Sequence, residues 1–412
     1  MTRNNLASFL EIEPLRCCMS DSPSPFPVSV VSHRSRGREL KAVLPICRGS
    51  VAVRCLPLAL VPADAQLRLR CAACLSALER CEPCSCGYAL CGACRDGPCW
   101  LAVHSAGECV SLRHLWALLK RTPGDAGNAD SSAARLLIRL AYLQVTVVPA
   151  ATGCPRGDAL SDEAESLDEL LSHFDELSEV QTQHAYDLAD TVRWCLVARA
   201  RSSRERLAQL AAKLWCNCFD VVDAESGTSI GEGLYPSIAV CVNHSCAPNA
   251  DFQWEEGNRG ALSIRTLRDV AAGEKLSIAY CSLFASTTSR RRHLRSTYFF
   301  DCRCRRCARR DGAPHVLPLA KRALETAASA VQDAGVWPQA ALAACELEAA
   351  VAPLVAAGAD WARLTLCRAR WTRLRGSGGS GSAALEALGD ELDWLLGTDH
   401  TFTRKVHAFG VS

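Results

Sequence analysis

Residues 231–250, GEGLYPSIAVCVNHSCAPNA, end an apolar run on an amide, an imidazole and a thiol: Asn243, His244 and Cys246, with Pro248 and Asn249 behind them. A helix or strand gains nothing from these three side chains, but each can bind or ligate. An amide both donates and accepts, and imidazole and thiolate coordinate metal. Two further groups carry related chemistry. Nine cysteines fall between Cys71 and Cys109, as Cys71-x2-Cys74, then Cys81, Cys84 and Cys86, then Cys91-x2-Cys94, with His104-x4-Cys109 closing the block. Cys302, Cys304 and Cys307 form a shorter group. A short turn between paired cysteines supplies two of the four ligands of a tetrahedral zinc ion. Seven cysteines and one histidine in so short a block suffice for two closed sites. Such a segment is too short and too polar for a core of its own, so metal would supply its folding free energy.

The compartment decides between metal and disulfide. The N-terminal MTRNNLASFLEIEPLRCC lacks a continuous apolar stretch and carries Glu11 and Glu13, so it does not read as a secretory signal. Disulfides are rare inside cells, and clustered cysteines there bind metal more often. Isolated thiols such as Cys195, Cys345 and Cys367 read as small core residues.

Several elements must position these groups. Residues 1–27 read as a loose, Ser/Pro-rich tail. Residues 28–60 are short apolar runs cut by Gly and Pro, the pattern of strands and turns. From about 110 to 215, SLRHLWALLK, AARLLIRLAYLQ and DLADTVRWCLVARA show helical spacing, with loops around 121–131 and 150–165. Short strands return over 216–285, including ALSIRTL and KLSIAYC on either side of an AAGE turn. After Cys307, LAKRALETAASAVQDA, AALAACELEAAVAPLV and WARLTLCRARWTRL predict helices that could pair as in a short solenoid, and GSGGSGS at 376–382 predicts a flexible loop. The fold class is α+β.

The 412 residues suggest two or three domains. With 46 basic against 44 acidic residues, overall charge points to neither nucleic acid nor membrane. No apolar run reaches the length of about 18 residues that a transmembrane helix requires.

The order of the cysteine block resembles a MYND zinc finger, with CGYALCGAC at its centre. Cys81, Cys84 and Cys86 compete for two ligand places there; the gap to Cys91 favours Cys86, leaving Cys84 or Cys81 as the other. MYND fingers bind protein, often Pro-containing peptides. The stretch around Asn243 resembles the SET core of the lysine methyltransferases that also carry MYND, the SMYD family. CNCFD (216–220), AAGEKLSIAY (271–280), YFFDCRCRRC (298–307) and RSRGRELKAV (34–43) resemble further family motifs in the family's order, so the likeness spans about 28–310.

The resemblance implies a β-rich SET domain with a knot-like site, split by the finger and a helical insert. The implied segments are a tail at 1–27, the SET N-terminal part at 28–70, the finger at 71–109, the insert at 110–215, the catalytic core at 216–300, a post-SET zinc loop at 301–310 and α-helices at 311–412. The implied activity is SAM-dependent methylation of protein lysines, histone or non-histone. SAM would lie against Arg36, Gly37, Arg38, Asn217, Asn243, His244, Tyr280 and Phe300. Tyr280 would orient the amine and the methyl group, with Tyr298 walling the lysine channel. Zinc, about three ions, would be held by Cys71, Cys74, Cys84, Cys86, Cys91, Cys94, His104 and Cys109 in the finger, and by Cys246, Cys302, Cys304 and Cys307 behind the site. Glu39 stands where the family has glycine, in a turn whose backbone approaches the cofactor closely.

A second reading makes the chain a MYND-based interaction and corepressor module with a weak or silent SET core. Nine arginines between Arg290 and Arg310 read first as a solvated face, or else as a rim steering acidic substrates. Without interleaved aromatics they do not suggest nucleic acid as the main partner. The expected protein is a monomer of nucleus or cytoplasm, with no membrane association.

Overall fold

The computed structural model describes residues 12–13, 26–33, 37–79, 82–95, 104–120, 131–146, 167–197, 200, 202–309, 322, 337–376, 383–398 and 400–411. Arg36, Cys81, Cys99, most of the tail, nearly all of 121–131, 150–165 and 376–382, and all of LAKRALETAASAVQDA but Arg322 lie outside these residues.

The expected strands form where β-branched runs alternate between faces. They are β1 (Ile12–Glu13), β2 (Val28–His33), β3 (Gly37–Ala42), β4 (Val51–Cys55), β5 (Ala59–Pro62), β6 (Cys218–Val222), β7 (Ser229–Leu234), β8 (Asn243–His244), β9 (Ala250–Trp254), β10 (Leu262–Thr266) and β11 (Ser277–Ile278). They make small sheets in the orders β1-β2-β3, β4-β10-β9, β5-β7-β6 and β8-β11. β1 corrects one expectation: part of the presumed tail pairs with β2, Ile12 opposite Val31.

The sheets join strands far apart in sequence. β4 pairs with β10 and β5 with β7, so the N-terminal part and the segment after 216 share one core. That core buries Leu40, Val53, Leu60, Val221, Ile264 and Ile278. β3 is the clasp. Leu40 N–H donates to Cys241 O at 2.9 Å, and Leu40 O accepts from Leu276 N–H at 2.8 Å. One N-terminal residue thus bridges the segments that lead into β8 and β11, which then pair in parallel with Asn243 opposite Ser277.

The insert is helical, as its periodicity predicts: Ala106–Leu119, Ser132–Thr146, Glu179–Cys195 and Arg204–Asn217. Serines 105, 178 and 203 cap three of these helices, each accepting a backbone N–H in the first turn. The cysteine block packs into the same core as the insert. Cys71, Cys74, Cys86 and Tyr88 are buried with Leu112, Leu115 and Leu136. The finger is therefore docked.

The helices Trp337–Ala356, Arg363–Gly376, Ala383–Leu396 and Thr401–Val411 follow, each packed on the next. Cys195 and Cys367 are fully buried, as expected. Cys345 is exposed, against expectation. Its helix buries Ala343, Ala344, Leu347 and Val351, and position 345 points away from that stripe. No described helix is long and apolar enough to cross a membrane.

Candidate active site and metal centres

Three groups of four ligating side chains assemble from the cysteine-rich segments: Cys71, Cys74, Cys91 and Cys94; Cys84, Cys86, His104 and Cys109; and Cys246, Cys302, Cys304 and Cys307. Within each group the ligand atoms lie within 4.8 Å of one another. Among the described residues Cys84 stands with Cys86, His104 and Cys109; its competitor Cys81 lies outside them. Zinc–sulfur bonds of about 2.3 Å put tetrahedral sulfurs ~3.8 Å apart. The sulfurs of Cys74 and Cys91 are 3.7 Å apart, those of Cys246 and Cys302 3.9 Å, and those of Cys246 and Cys307 3.5 Å. The spacing and the all-nitrogen-and-sulfur donor set fit zinc. Every described cysteine is a free thiol rather than a disulfide partner.

The finger is tied to the insert by two residues that the sequence reading did not single out. His104 Nδ1 and Glu108 Oε2 are 3.0 Å apart, and Arg139 Nε donates to Glu108 Oε1 at 2.9 Å. Arg139 also donates to the carbonyls of Leu60 and Ala72. A carboxylate on the far ring nitrogen is the usual way to orient a ligating histidine. Glu108 and Arg139 are both buried, so each satisfies the other's charge.

The third cluster lies beside Asn243, His244, Tyr280, Tyr298 and Phe300. Asn243 Nδ2 donates to Arg38 O at 2.7 Å, which fastens the N-terminal turn to β8. Its Oδ1 carries no hydrogen bond among the described residues. Gly37 takes φ +70°, where glycine is unstrained, and a side chain built there would meet open space. His244 Nδ1 accepts from Tyr280 N–H at 2.9 Å, while Nε2 lies 3.1 Å from Cys246 Sγ. Burial lowers the His244 pKa to about 4, so the imidazole is neutral at pH 7. The Tyr280 hydroxyl donates to Val242 O at 2.5 Å. Burial pushes the Tyr280 pKa up, and that of Tyr298 up to about 12, so both phenols keep their protons. The two rings are 4.9 Å apart, and Phe300 is 5.9 Å from His244.

Tyr280 also borders a cavity of about 670 Å³, lined by Phe219, Tyr280, Tyr298, Leu283 and Phe284 of the core and by Leu347, Trp361 and Arg368 of the C-terminal helices. Tyr280 and Tyr298 line this cavity, and the Tyr280 ring also lies 5.4 Å from that of His244 and 6.5 Å from that of Phe300. Cys281 also lines this cavity and forms a further cluster with His244 and Cys246. The sequence reading passed it over, because a lone Cys after KLSIAY carries no spacing signal.

Some expectations are corrected. Asn217 is the last residue of a helix, not part of a strand, and its amide donates to Leu171 O and Lys213 O. It lines the cavity, but its donor groups hold the insert. Glu39 is buried in β3, opposite Val31. Arg38 forms an ion pair with Glu169 of the insert. The arginine run is not a solvated face throughout. Arg290 is fully buried and donates to Ala285 O at 2.5 Å. Arg306 donates to Leu283 O at 2.8 Å and Cys246 O at 3.2 Å, and stacks 4.6 Å from the Trp361 ring. Arg292, Arg303 and Arg305 are exposed.

Residues 146–281 match the SET domain family. This stretch takes in Asn243, His244, Cys246 and Tyr280. Among curated proteins, the chain is similar to the human histone-lysine N-methyltransferase SMYD3, 29% identical over 294 residues, 70% of this chain and 63% of that protein. It is similar to the Arabidopsis thaliana histone-lysine N-methyltransferase ASHR1, at 27% over 289 residues, 68% of this chain and 54% of that protein. The mouse N-lysine methyltransferase SMYD2 is 26% identical over 300 residues, 72% of this chain and 64% of that protein. The chain spans about three fifths of the length of the curated relatives it matches.

Proposed function

The chain belongs to the SMYD family of SET and MYND proteins, and we propose that it is a SAM-dependent protein-lysine N-methyltransferase. The observation that carries this is the position of Tyr280, one face on a cavity and its backbone bonded to the Asn243–His244 strand.

In this reading Gly37, Arg38, Asn243, His244 and Phe300 hold SAM. The open space beside Gly37, the Asn243 Oδ1 that has no partner among the described residues and the half-buried Phe300 ring support the fit. Bound there, SAM supplies a methyl group on a positively charged sulfonium. Tyr280 does the positioning. Its proton is committed to Val242 O, so its oxygen presents lone pairs, which accept from the lysine amine and align it. Alignment alone accounts for ~7–11 kcal/mol of barrier in favourable cases. Asp220, Asp251 and Arg368 line the cavity too, but Phe219, Leu283, Phe284 and Tyr298 give it an apolar stretch of wall, and an amine lying against that stretch is favoured in its neutral, nucleophilic form. The C-terminal helices close the cavity's far side and would face the protein substrate.

The metal assignment is zinc, three ions, in the groups built from Cys71, Cys84 and Cys246. The finger would bind Pro-containing peptides. The substrate is a protein lysine, histone or non-histone, and the protein acts as a monomer in nucleus or cytoplasm. Calorimetric titration of SAM into zinc-replete protein tests the reading. Micromolar binding is expected; no heat from correctly folded, zinc-loaded protein would overturn it.

A further inference from the structure

We propose that the His244 imidazole is a positioning group that donates a hydrogen bond to the Cys246 sulfur and so joins the post-SET metal site to Tyr280. This rests on the reading that Cys246, Cys302, Cys304 and Cys307 hold a zinc ion.

The proton's place follows from the contacts. Tyr280 N–H points at His244 Nδ1 across 2.9 Å, and a backbone amide can only donate. Nδ1 therefore carries the lone pair, and the single proton of the neutral ring sits on Nε2. Nε2 is 3.1 Å from Cys246 Sγ, so the ring donates to that sulfur. A metal-bound cysteine is a thiolate, which makes this a charge-assisted bond. Both ring nitrogens are then spent inside the protein, leaving only the backbone of His244 for the cofactor.

The consequence is a continuous link. The metal-bound sulfur fixes the imidazole, the imidazole fixes the Tyr280 backbone, and Tyr280 carries the phenol bonded to Val242 O on the cavity wall. Partners that hydrogen-bond a metal ligand typically contribute 10–100-fold in metal affinity.

Two substitutions separate the sulfur contact from the rest. In His244→Asn, the side-chain oxygen takes the place of Nδ1 and still accepts from Tyr280, but no donor reaches the sulfur. In His244→Gln, the amide nitrogen takes the place of Nε2 and keeps the sulfur contact. The measurement is zinc content and the rate of zinc transfer to a chromophoric chelator, with no need of turnover. Wild-type protein is expected to hold three ions. His244→Asn should release one of them at least tenfold faster and the other two at the wild-type rate, while His244→Gln stays close to wild type. Equal release from wild type and His244→Asn would overturn the proposal, as would equal acceleration in both variants or faster release of all three ions. Two ions in the wild type would instead remove the zinc reading on which it stands.

Discussion

At the scale of single residues, the site is a set of polar groups already committed to one another. Asn243 is the exception: its Nδ2 is bonded to Arg38 O, and its Oδ1 has no partner among the described residues. In the SAM titration, Asn243→Ala should raise the dissociation constant about tenfold. That corresponds to one hydrogen bond to a charged group, about 1.5 kcal/mol. An unchanged constant would remove Asn243 from the cofactor site. Asn243, His244 and Cys246 were legible in the sequence because three costly side chains stand together with no role in a core. Glu108, Arg139, Arg290 and Arg306 were not. Each is common on surfaces, and each becomes informative only through its partner: Glu108 lies 31 positions from Arg139, and Arg306 lies 60 from Cys246. Buried arginines in an arginine-rich run cannot be told from exposed ones without the fold.

At the scale of elements, the site depends on turns that hold short strands in place. Glu274, in the AAGE turn, accepts from Arg268, from Ala271 N–H at 3.1 Å and from Asn249 Nδ2 at 3.2 Å. It thereby ties the approach to β11 to the segment after Cys246. The Arg268 hydrogen bond lowers its pKa below the ordinary 4.5. A depressed carboxylate contributes stability above its unfolded value and loses it as pH falls through the folded one. Glu274→Gln should therefore lower stability by about 1 kcal/mol at pH 7, a figure that allows for partial solvent exposure. The difference should vanish once acid has protonated the wild-type carboxyl. Chemical denaturation at pH 7 and at successively lower pH below 4.5 follows both; a difference that does not shrink as pH falls would contradict the assignment. Element types along the chain were legible because periods of two and of three to four residues differ sharply. The boundary at Asn217 was not. The chain passes from helix to strand there without a loop, and nothing in CNCFD marks the last helical residue.

At the scale of the whole molecule, the cavity belongs to two parts of the chain. The Trp361 ring lies 5.1 Å from Phe284, carries the Arg306 guanidinium at 4.6 Å, and lines the cavity. The segment that carries Cys302, Cys304 and Cys307 and the C-terminal helices therefore meet at one indole. Trp361→Ala should raise KM for the protein substrate severalfold and leave the SAM dissociation constant unchanged. A loss of SAM binding instead would mean that the helices support the cofactor side. The helical character of this region was legible, but which of its residues line the cavity was not, because Trp361 and Phe284 are joined only by tertiary packing.

The central claim is that Tyr280 stands at the point of methyl transfer. Zinc-replete wild type and Tyr280→Phe would be incubated with methyl-labelled SAM and a mixture of core histones and whole-cell protein. The expected result is a labelled lysine-containing protein whose labelling falls at least tenfold in the variant while SAM binding is kept. Equal labelling by the two proteins would contradict the placing of Tyr280, and no labelling by folded, SAM-binding wild type would contradict the activity itself.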